Sequence, residues 1–526
     1  MRHRVLLVVV LFLFAAGFAQ GATYNVTNPG DTNANGSLRW AINQANANAG
    51  ADTITFSLSS PYTIQPTGEL PAVLGNSTTV DGNSQSGYSG APLVCIDGRT
   101  NFNYGLHVIA SNCLIRGLLV TRCNDAAIRL RGEKHRVEGC YVMSNKTAGI
   151  RIFMSPNNWV GGTNFATRNV CSSNGQYGIY VSEEGTTNNR IFGNYIGTDP
   201  TGRRAQSNLY SGIFFYTCSN NIVGGTNSWE RNLISGNHDG VDVYYTSGGV
   251  TIQGNFIGTD VTGTNPLPNE GIGVTIGGAN NVVGGKDAAA RNIISGNKYY
   301  GVSLWYDTAT GNVIRGNYIG VDTTGVRRCA NQNHGIQVAN IANNNTIGGT
   351  AAGEGNVISG NRENGILISQ GAHHNTLYGN LIGLNAAGTA AISNRVWGVR
   401  IQGPSNTVGG LAAGTRNVVS GNGAAGIWAD STNACRTLVY GNYVGTDITG
   451  SNAVPNGSYG IDVSDAANCQ IGTSGGGGNL VSGHANAAGI QVSTAVPSAT
   501  GNVIRCNYVG TDASGRFAIP NYVGIS

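Results

Sequence analysis

The chain has 526 residues, a formal net charge of +4 and only 11% charged residues. That charge is too weak to argue for a nucleic-acid partner. Glycine supplies 81 residues, yet 40% of the chain is hydrophobic and the apolar residues recur in register, which excludes a disordered chain.

Residues 1–22 read as a secretory signal peptide. Arg2 and Arg4 make a basic start, residues 5–18 are almost wholly apolar, and Ala19-Gln20-Gly21 is a small-residue cleavage site. No later stretch is apolar enough to span a bilayer, so a secreted or outer-cell-surface protein without a membrane span is expected. Residues 23–100 read as an N-terminal cap with the first coils. Within them, Ser37 can N-cap a short helix over residues 37–47 that places Leu38, Ala41, Ile42 and Ala45 on one face. Such a helix would cover the open end of a stack of strands.

Residues 101–526 repeat. Gly193-Asn-Tyr-Ile-Gly-Thr-Asp-Pro-Thr-Gly202 recurs with variation from Gly254, Gly316, Gly379, Gly441 and Cys506, in steps of 61, 62, 63, 62 and 65 residues. Arg231-Asn-Leu-Ile-Ser-Gly-Asn237 recurs from Arg291, Gly355, Arg416 and Gly478, with a weaker copy at Arg168. Gly-Ile-x-Val occurs twice per unit, in steps of roughly thirty and thirty-four residues from Gly178 onward. In that phrase Ile and Val point inward and x faces solvent. One coil cannot bury its apolar face alone, so coils must stack into Ile/Val columns. Asn194, Asn255, Asn317, Asn380, Asn442 and Asn507 hold one turn position, where stacked amides can bond from coil to coil. The expected fold is all-β: a right-handed single-stranded parallel β-helix of ~14 coils, with two coils per unit of about 62 residues and a short N-terminal capping helix. Because the last Gly-Ile-x-Val phrase stops at Ser526, further coils or another domain are expected to follow in the natural protein.

The ten cysteines fit no zinc template. Cys171 stands where other units have a buried Ile, so most thiols are expected free and buried, with a bridge such as Cys435–Cys469 allowed.

Ser37-Leu-Arg-x-Ala-Ile42, Ala51-Asp-Thr-Ile-Thr-Phe56 and Thr79-Val-Asp-Gly82 resemble the entry segment of bacterial surface β-helix proteins with a CSLREA-type start, here with Gly36 for Cys and Trp40 for Glu. The later units resemble the parallel β-helix repeat of the pectate-lyase-like superfamily. That resemblance implies architecture and leaves chemistry open, because the superfamily holds polysaccharide lyases, hydrolases and epimerases beside adhesins and structural rods. Its catalytic patterns are missing here. There is no Asn-Thr-Asp with Asp-Asp and Arg-Ile-Lys, and no Asp-Pro-His-Asp.

A residue present in every unit serves the fold; a functional group should break the repeat. Asp199, Asp260, Asp322, Asp447 and Asp512 recur, with Asn385 in the fourth unit. They could ladder calcium, but an Asx-type turn before Gly explains them, and no cofactor or other metal is expected. The outward column reads His107, Arg129, Arg151, Tyr180, Phe214, Asp242, Thr275, Ser303, Gln337, Leu367, Arg400, Trp428, Asp462 and Gln491. Beside it run Ile109, Arg131, Phe153, Ser182, Tyr216, Tyr244, Gly277 and Trp305. This stripe departs furthest from the repeat. Arg129, Arg131 and Arg151 suit uronate carboxylates because a guanidinium fork is bidentate. Phe153, Phe214, Tyr216, Tyr244 and Trp305 suit the apolar faces of sugars. Asp242, with Tyr180 or with Asp239 in the turn before it, is the candidate acid–base pair. His334, His373 and His374 fall on turns and read as solvent-exposed polar residues. Two functions fit: a non-catalytic adhesive or glycan-binding rod, and a lyase, glycoside hydrolase or epimerase on a uronate-containing polysaccharide. Which of the two applies is not legible in the residues.

Overall fold

The computed structural model describes residues 20–497 and 499–526. Residues 1–19 of the expected leader lie outside that range. From Thr79 onward each coil places one short strand in each of three sheets, and every strand pair within the sheets is parallel. The sheets hold 17, 16 and 15 strands; we number them 1, 2 and 3. The count exceeds the expected fourteen coils. The early strands Thr23–Val26, Thr53–Phe56 and Thr79–Asp81 carry no Gly-Ile-x-Val phrase, so the repeat does not betray them.

The entry helix α1, Leu38–Ala47, forms where expected. Ser37 is its N-cap and its Oγ accepts from the Trp40 N–H at 3.1 Å. Leu38, Ala41, Ile42 and Ala45 are buried in the same core as the strand columns. Among the described residues, no helix is long and apolar enough to cross a membrane.

The interior is a continuous stack. Ile179, Ile213, Val241, Val274, Val302 and Ile336 follow one another in register and are wholly buried. Each such side chain contributes about 1.5–3 kcal/mol. The corners are polar, and there the structure goes beyond the expected ladder. Three asparagine ladders run along the rod, one at each corner. Between sheets 1 and 2, Asn169, Asn194, Asn232, Asn255, Asn292, Asn317 and their successors to Asn507 link Nδ2 to the next Oδ1. The second ladder, between sheets 2 and 3, runs from Asn145 to Asn456 and passes to His484. A third, Asn158–Asn189–Asn221 and then Asn281 to Asn406, lies between sheets 3 and 1, broken by Val250. Buried amides are stable only when paired, and the ladder pairs each with its neighbour.

The Gly-Gly that opens every second loop after sheet 1 follows from this. Gly284 has φ +88°, and a Cβ there would lie 2.0 Å from the Arg315 carbonyl and 2.5 Å from Asn317 Oδ1. On the outer face of sheet 2, Arg168, Arg231, Arg291 and Arg416 lie over Tyr195, Phe256, Tyr318 and Tyr443 at 3.9, 4.1, 4.0 and 3.9 Å, one pair per two-coil unit. Gly355 interrupts the series.

All ten cysteines are free. The Cys435–Cys469 bridge that the sequence allows does not form, because the register pairs Leu438 with Gln470, so Cys469 stands opposite Thr437 and two residues away from Cys435. Cys171 is fully buried, as its column position requires.

Candidate functional site

The candidate stripe lies on the outer face of sheet 3. Its main column pairs from His107 to Gln491 without a slip, as the period-two reading demands. Successive side chains in the column therefore sit about 4.8 Å apart along the rod.

The arginine end is partly satisfied internally, with the buried Nε of Arg129 and of Arg151 left without an acceptor. Arg151 pairs with Asp125 at 2.8 Å and sits over Phe153 and Tyr180 at 5.1 and 5.0 Å. Arg129 donates to the Tyr104 hydroxyl at 2.6 Å and lies over the Phe153 ring at 4.4 Å. Phe153 is thus clamped between two guanidinium groups. Arg131 falls one residue beyond its strand and is exposed. His107, beside Arg129, is held at about 4 by burial and by the neighbouring Arg129 and Arg131 charges.

The aromatic segment is longer than expected. Tyr177 stacks on Phe214 with centroids 4.7 Å apart and planes 9° apart, and Tyr180 meets Phe214 at 5.6 Å. Phe214 meets Tyr216 at 6.3 Å and Tyr244 at 5.9 Å. Tyr244 continues to Tyr245 at 4.4 Å and to Tyr306 at 6.3 Å. The ring closing this end is Tyr306, at φ +92°, rather than its neighbour Trp305. A cleft of ≈ 530 Å³ opens beside Tyr245, bounded by Asn220, Thr246, Ala279 and Thr308.

Asp242 lies inside this segment, paired in register with Phe214 on one side and Thr275 on the other. Burial, aided by the charge on Asp239, pushes its carboxyl up to about 7. Among the described residues, none donates a hydrogen bond to it. Asp239 begins the strand Asp239–Val243 instead of lying in the turn. Its carboxylate accepts the Ile272 N–H at 2.7 Å and meets His238 Nδ1 at 3.0 Å. Tyr180 is separated from Asp242 by the Phe214 row, two coils or about 10 Å away. It lies beside Arg151 instead, so Asp239 is the closer partner of Asp242.

Tyr104, Asp125, Tyr177, Tyr245 and Tyr306 complete the face and were not singled out from the residues alone. One signal was available: Tyr104, Tyr177, Tyr300 and Trp397 each immediately precede the glycine of a Gly-Ile-x-Val strand. That third column also leads to a second aromatic group, where Arg400 lies over Trp397 and Trp428 at 4.6 and 4.7 Å and pairs with Asp430.

The repeated Asp residues serve their turns. Asp260 Oδ1 accepts from Thr262 N–H and Oγ1 at 3.1 and 2.6 Å, and Asp447 does the same with Thr449 Oγ1 and Ser451 N–H at 2.8 and 3.1 Å. His334 stacks on Tyr300 at 5.4 Å and is mostly enclosed, while His373 meets His374 edge-on at 5.1 Å.

Residues 73–257 match the family model described as "Right handed beta helix region". No curated protein sequence matches the chain. Among solved structures, the periplasmic alginate epimerase AlgG is similar at 13% identity, over 87% of this chain and 78% of that one, with a TM-score of 0.37. The Azotobacter vinelandii mannuronan C-5 epimerase AlgE6 A-module gives 16%, 92%, 99% and 0.33. The Dettilon tailspike protein gp208 gives 12%, 92%, 68% and 0.31. These are likenesses of fold alone.

Proposed function

We propose that this right-handed parallel β-helix protein is an exported rod that binds a polysaccharide lengthwise along the outer face of sheet 3. The observation that carries the reading is the unbroken ring series from Tyr177 to Tyr306, with Tyr216 and Tyr245 substantially exposed. The second aromatic group on this face, Trp397 with Trp428, is shorter and carries Arg400 over both rings. A pyranose presents axial C–H groups that pack on an aromatic face, and successive rings along the rod match successive sugars. Export is supported by the basic start, apolar run and small-residue site of residues 1–22.

The test is glycan binding by calorimetry across a panel of soluble polysaccharides. Phe214→Ala with Tyr244→Ala should cut affinity for the bound glycan at least about tenfold, while Gln491→Ala, far along the same column, should leave it unchanged. Equal losses at both places, or none, would sink the reading.

One observation favours catalysis as a second reading: a carboxyl near neutrality beside another carboxylate suits proton exchange at a sugar. Under it the protein is a lyase, hydrolase or epimerase, and Asp242→Ala abolishes the release of reducing ends or unsaturated uronates. Full turnover in that variant removes Asp242 from the chemistry, and no turnover by the parent protein across the panel removes the enzymatic reading and leaves the binding one intact.

A further inference from the structure

We infer that the glycan held on this face carries a cationic nitrogen, an amino sugar with a free amine, seated on Asp242 between the rings of Tyr177, Phe214 and Tyr244. This rests on the glycan-binding reading above and names the chemistry of its ligand.

The distribution of unspent charge points there. Two of the arginines that first suggest an acidic glycan already have partners, Arg151 in Asp125 and Arg129 in Tyr104, both packed on Phe153, and Arg131 stands exposed at the far end of the face. Asp242 is the reverse case. It stands in the middle of the ring series, and no described group donates to it. The neighbours that face it are Phe214 and Tyr216 from the preceding strand, Thr275 from the following one, Tyr244 and Asp239 from its own, and Tyr177 stacked on Phe214. His238 reaches it only through Asp239. The charge that acts on Asp242 is that of Asp239, which is also negative. Arg151, the nearest member of the column with positive charge, is three coils or about 14 Å away.

A carboxylate to which no protein group donates, with a second acid beside it and π-faces around it, is complementary to an ammonium group. Ring quadrupoles attract a cation over their faces, and the carboxylate supplies the counter-charge. A uronate carboxylate in the same place would meet two like charges and no free donor. An N-acetylated sugar would stack but leave Asp242 unpaired. The flat row of further rings on either side fits a chain of pyranoses better than a single amine.

The test uses three glycan hexamers of equal length: glucosamine, N-acetylglucosamine and a hexuronate. For the intact protein at pH 6.5, the glucosamine hexamer should bind at least about tenfold more tightly than either of the others. Asp242→Asn should bring the first two within about twofold while retaining binding to the acetylated one. A quaternised glucosamine hexamer, which has no titratable amine, should release about half a proton per site at pH 7 as Asp242 ionises on binding, read from calorimetry in two buffers. If none of the hexamers binds, the glycan-binding reading fails and this one with it. If the neutral or acidic hexamer binds as well as the amino one, if Asp242→Asn keeps the preference, or if an oligolysine of similar length binds as tightly, the cationic-glycan assignment alone is overturned.

Discussion

Removing one rung of the asparagine ladder should cost about as much as truncating an apolar core residue of the same size, although the side chain is polar, and the cost can be worked rung by rung. Asn317 is fully buried. Its Nδ2 donates to Asn356 Oδ1 at 3.0 Å, to the Val283 carbonyl at 2.9 Å and to the Arg315 carbonyl at 3.0 Å. Its Oδ1 accepts from Asn292 N–H at 3.3 Å and Asn292 Nδ2 at 2.9 Å. In Asn317→Ala the Asn356 oxygen keeps the Asn317 backbone N–H, and the Asn292 amide keeps the Ile252 carbonyl. The Asn292 backbone N–H loses its acceptor altogether, one Asn292 Nδ2 hydrogen loses its own, and the Val283 and Arg315 carbonyls each lose a donor. At about 1–3 kcal/mol per orphaned group, the loss should be roughly 2–4 kcal/mol. Asn317→Asp should be worse at pH 7, since a buried carboxylate would face three acceptors and no new donor. Its folded pKa would be raised, so part of its penalty should disappear as the pH is lowered. A long solenoid does not unfold in one step, so the assay is amide hydrogen exchange over residues 282–294 and 313–321, alongside the urea midpoint. Asn317→Ala within about 0.5 kcal/mol of the parent would refute the ladder argument, since surface changes alone reach that size. So would Asn317→Asp being the milder change.

His484 takes an asparagine's place in the second ladder, and burial holds it at about 4, so it stays neutral in the fold. Stability it supports is present above pH ~6.5 and is lost as pH falls toward 4; His484→Asn should remove roughly 3 kcal/mol of that acid sensitivity, read as unfolding free energy from pH 7 to 4. Thiol titration of the native protein should label Cys506 first, then Cys95 and Cys435, while all ten react in denaturant; fewer than ten would mean a bridge. Arg231→Met should cost about 1–2 kcal/mol by removing the cation over Phe256 and the donor to the Gly254 carbonyl, with the effect confined to neighbouring coils by hydrogen exchange.

The architecture was legible because two periods coincide in the residues: two within strands, and about 62 along the chain. The outward column from His107 to Gln491 follows from those periods alone. What escaped was whatever lacks the phrase or depends on contacts between coils. The first strands, such as Thr53–Phe56, carry no glycine marker. The second and third ladders were hidden because Asn174, Asn189 and Asn208 sit in turns whose lengths vary from coil to coil. Among the candidate site residues, Asp242 and the rings Phe214, Tyr216 and Tyr244 were found and lie together. The assignment of Arg151 as a free ligand fork overlooked Asp125, which is 26 positions away and adjacent only after stacking. Tyr180 and Asp242 share the outward column, but the Phe214 row lies between them.

The Arg-over-aromatic pairs on sheet 2 recur every second coil, whereas the first asparagine ladder has a rung in every coil from Asn169 to Asn507 and the second from Asn145 to Asn456. A single coil inserted or deleted would keep the core columns and those ladders but bring arginine beneath arginine and ring beneath ring. Two coils added or removed together restore both patterns. The natural quantum by which such a rod can lengthen or shorten is therefore the pair, which means the position of the sheet 3 face can be shifted along the rod by duplication without being rebuilt.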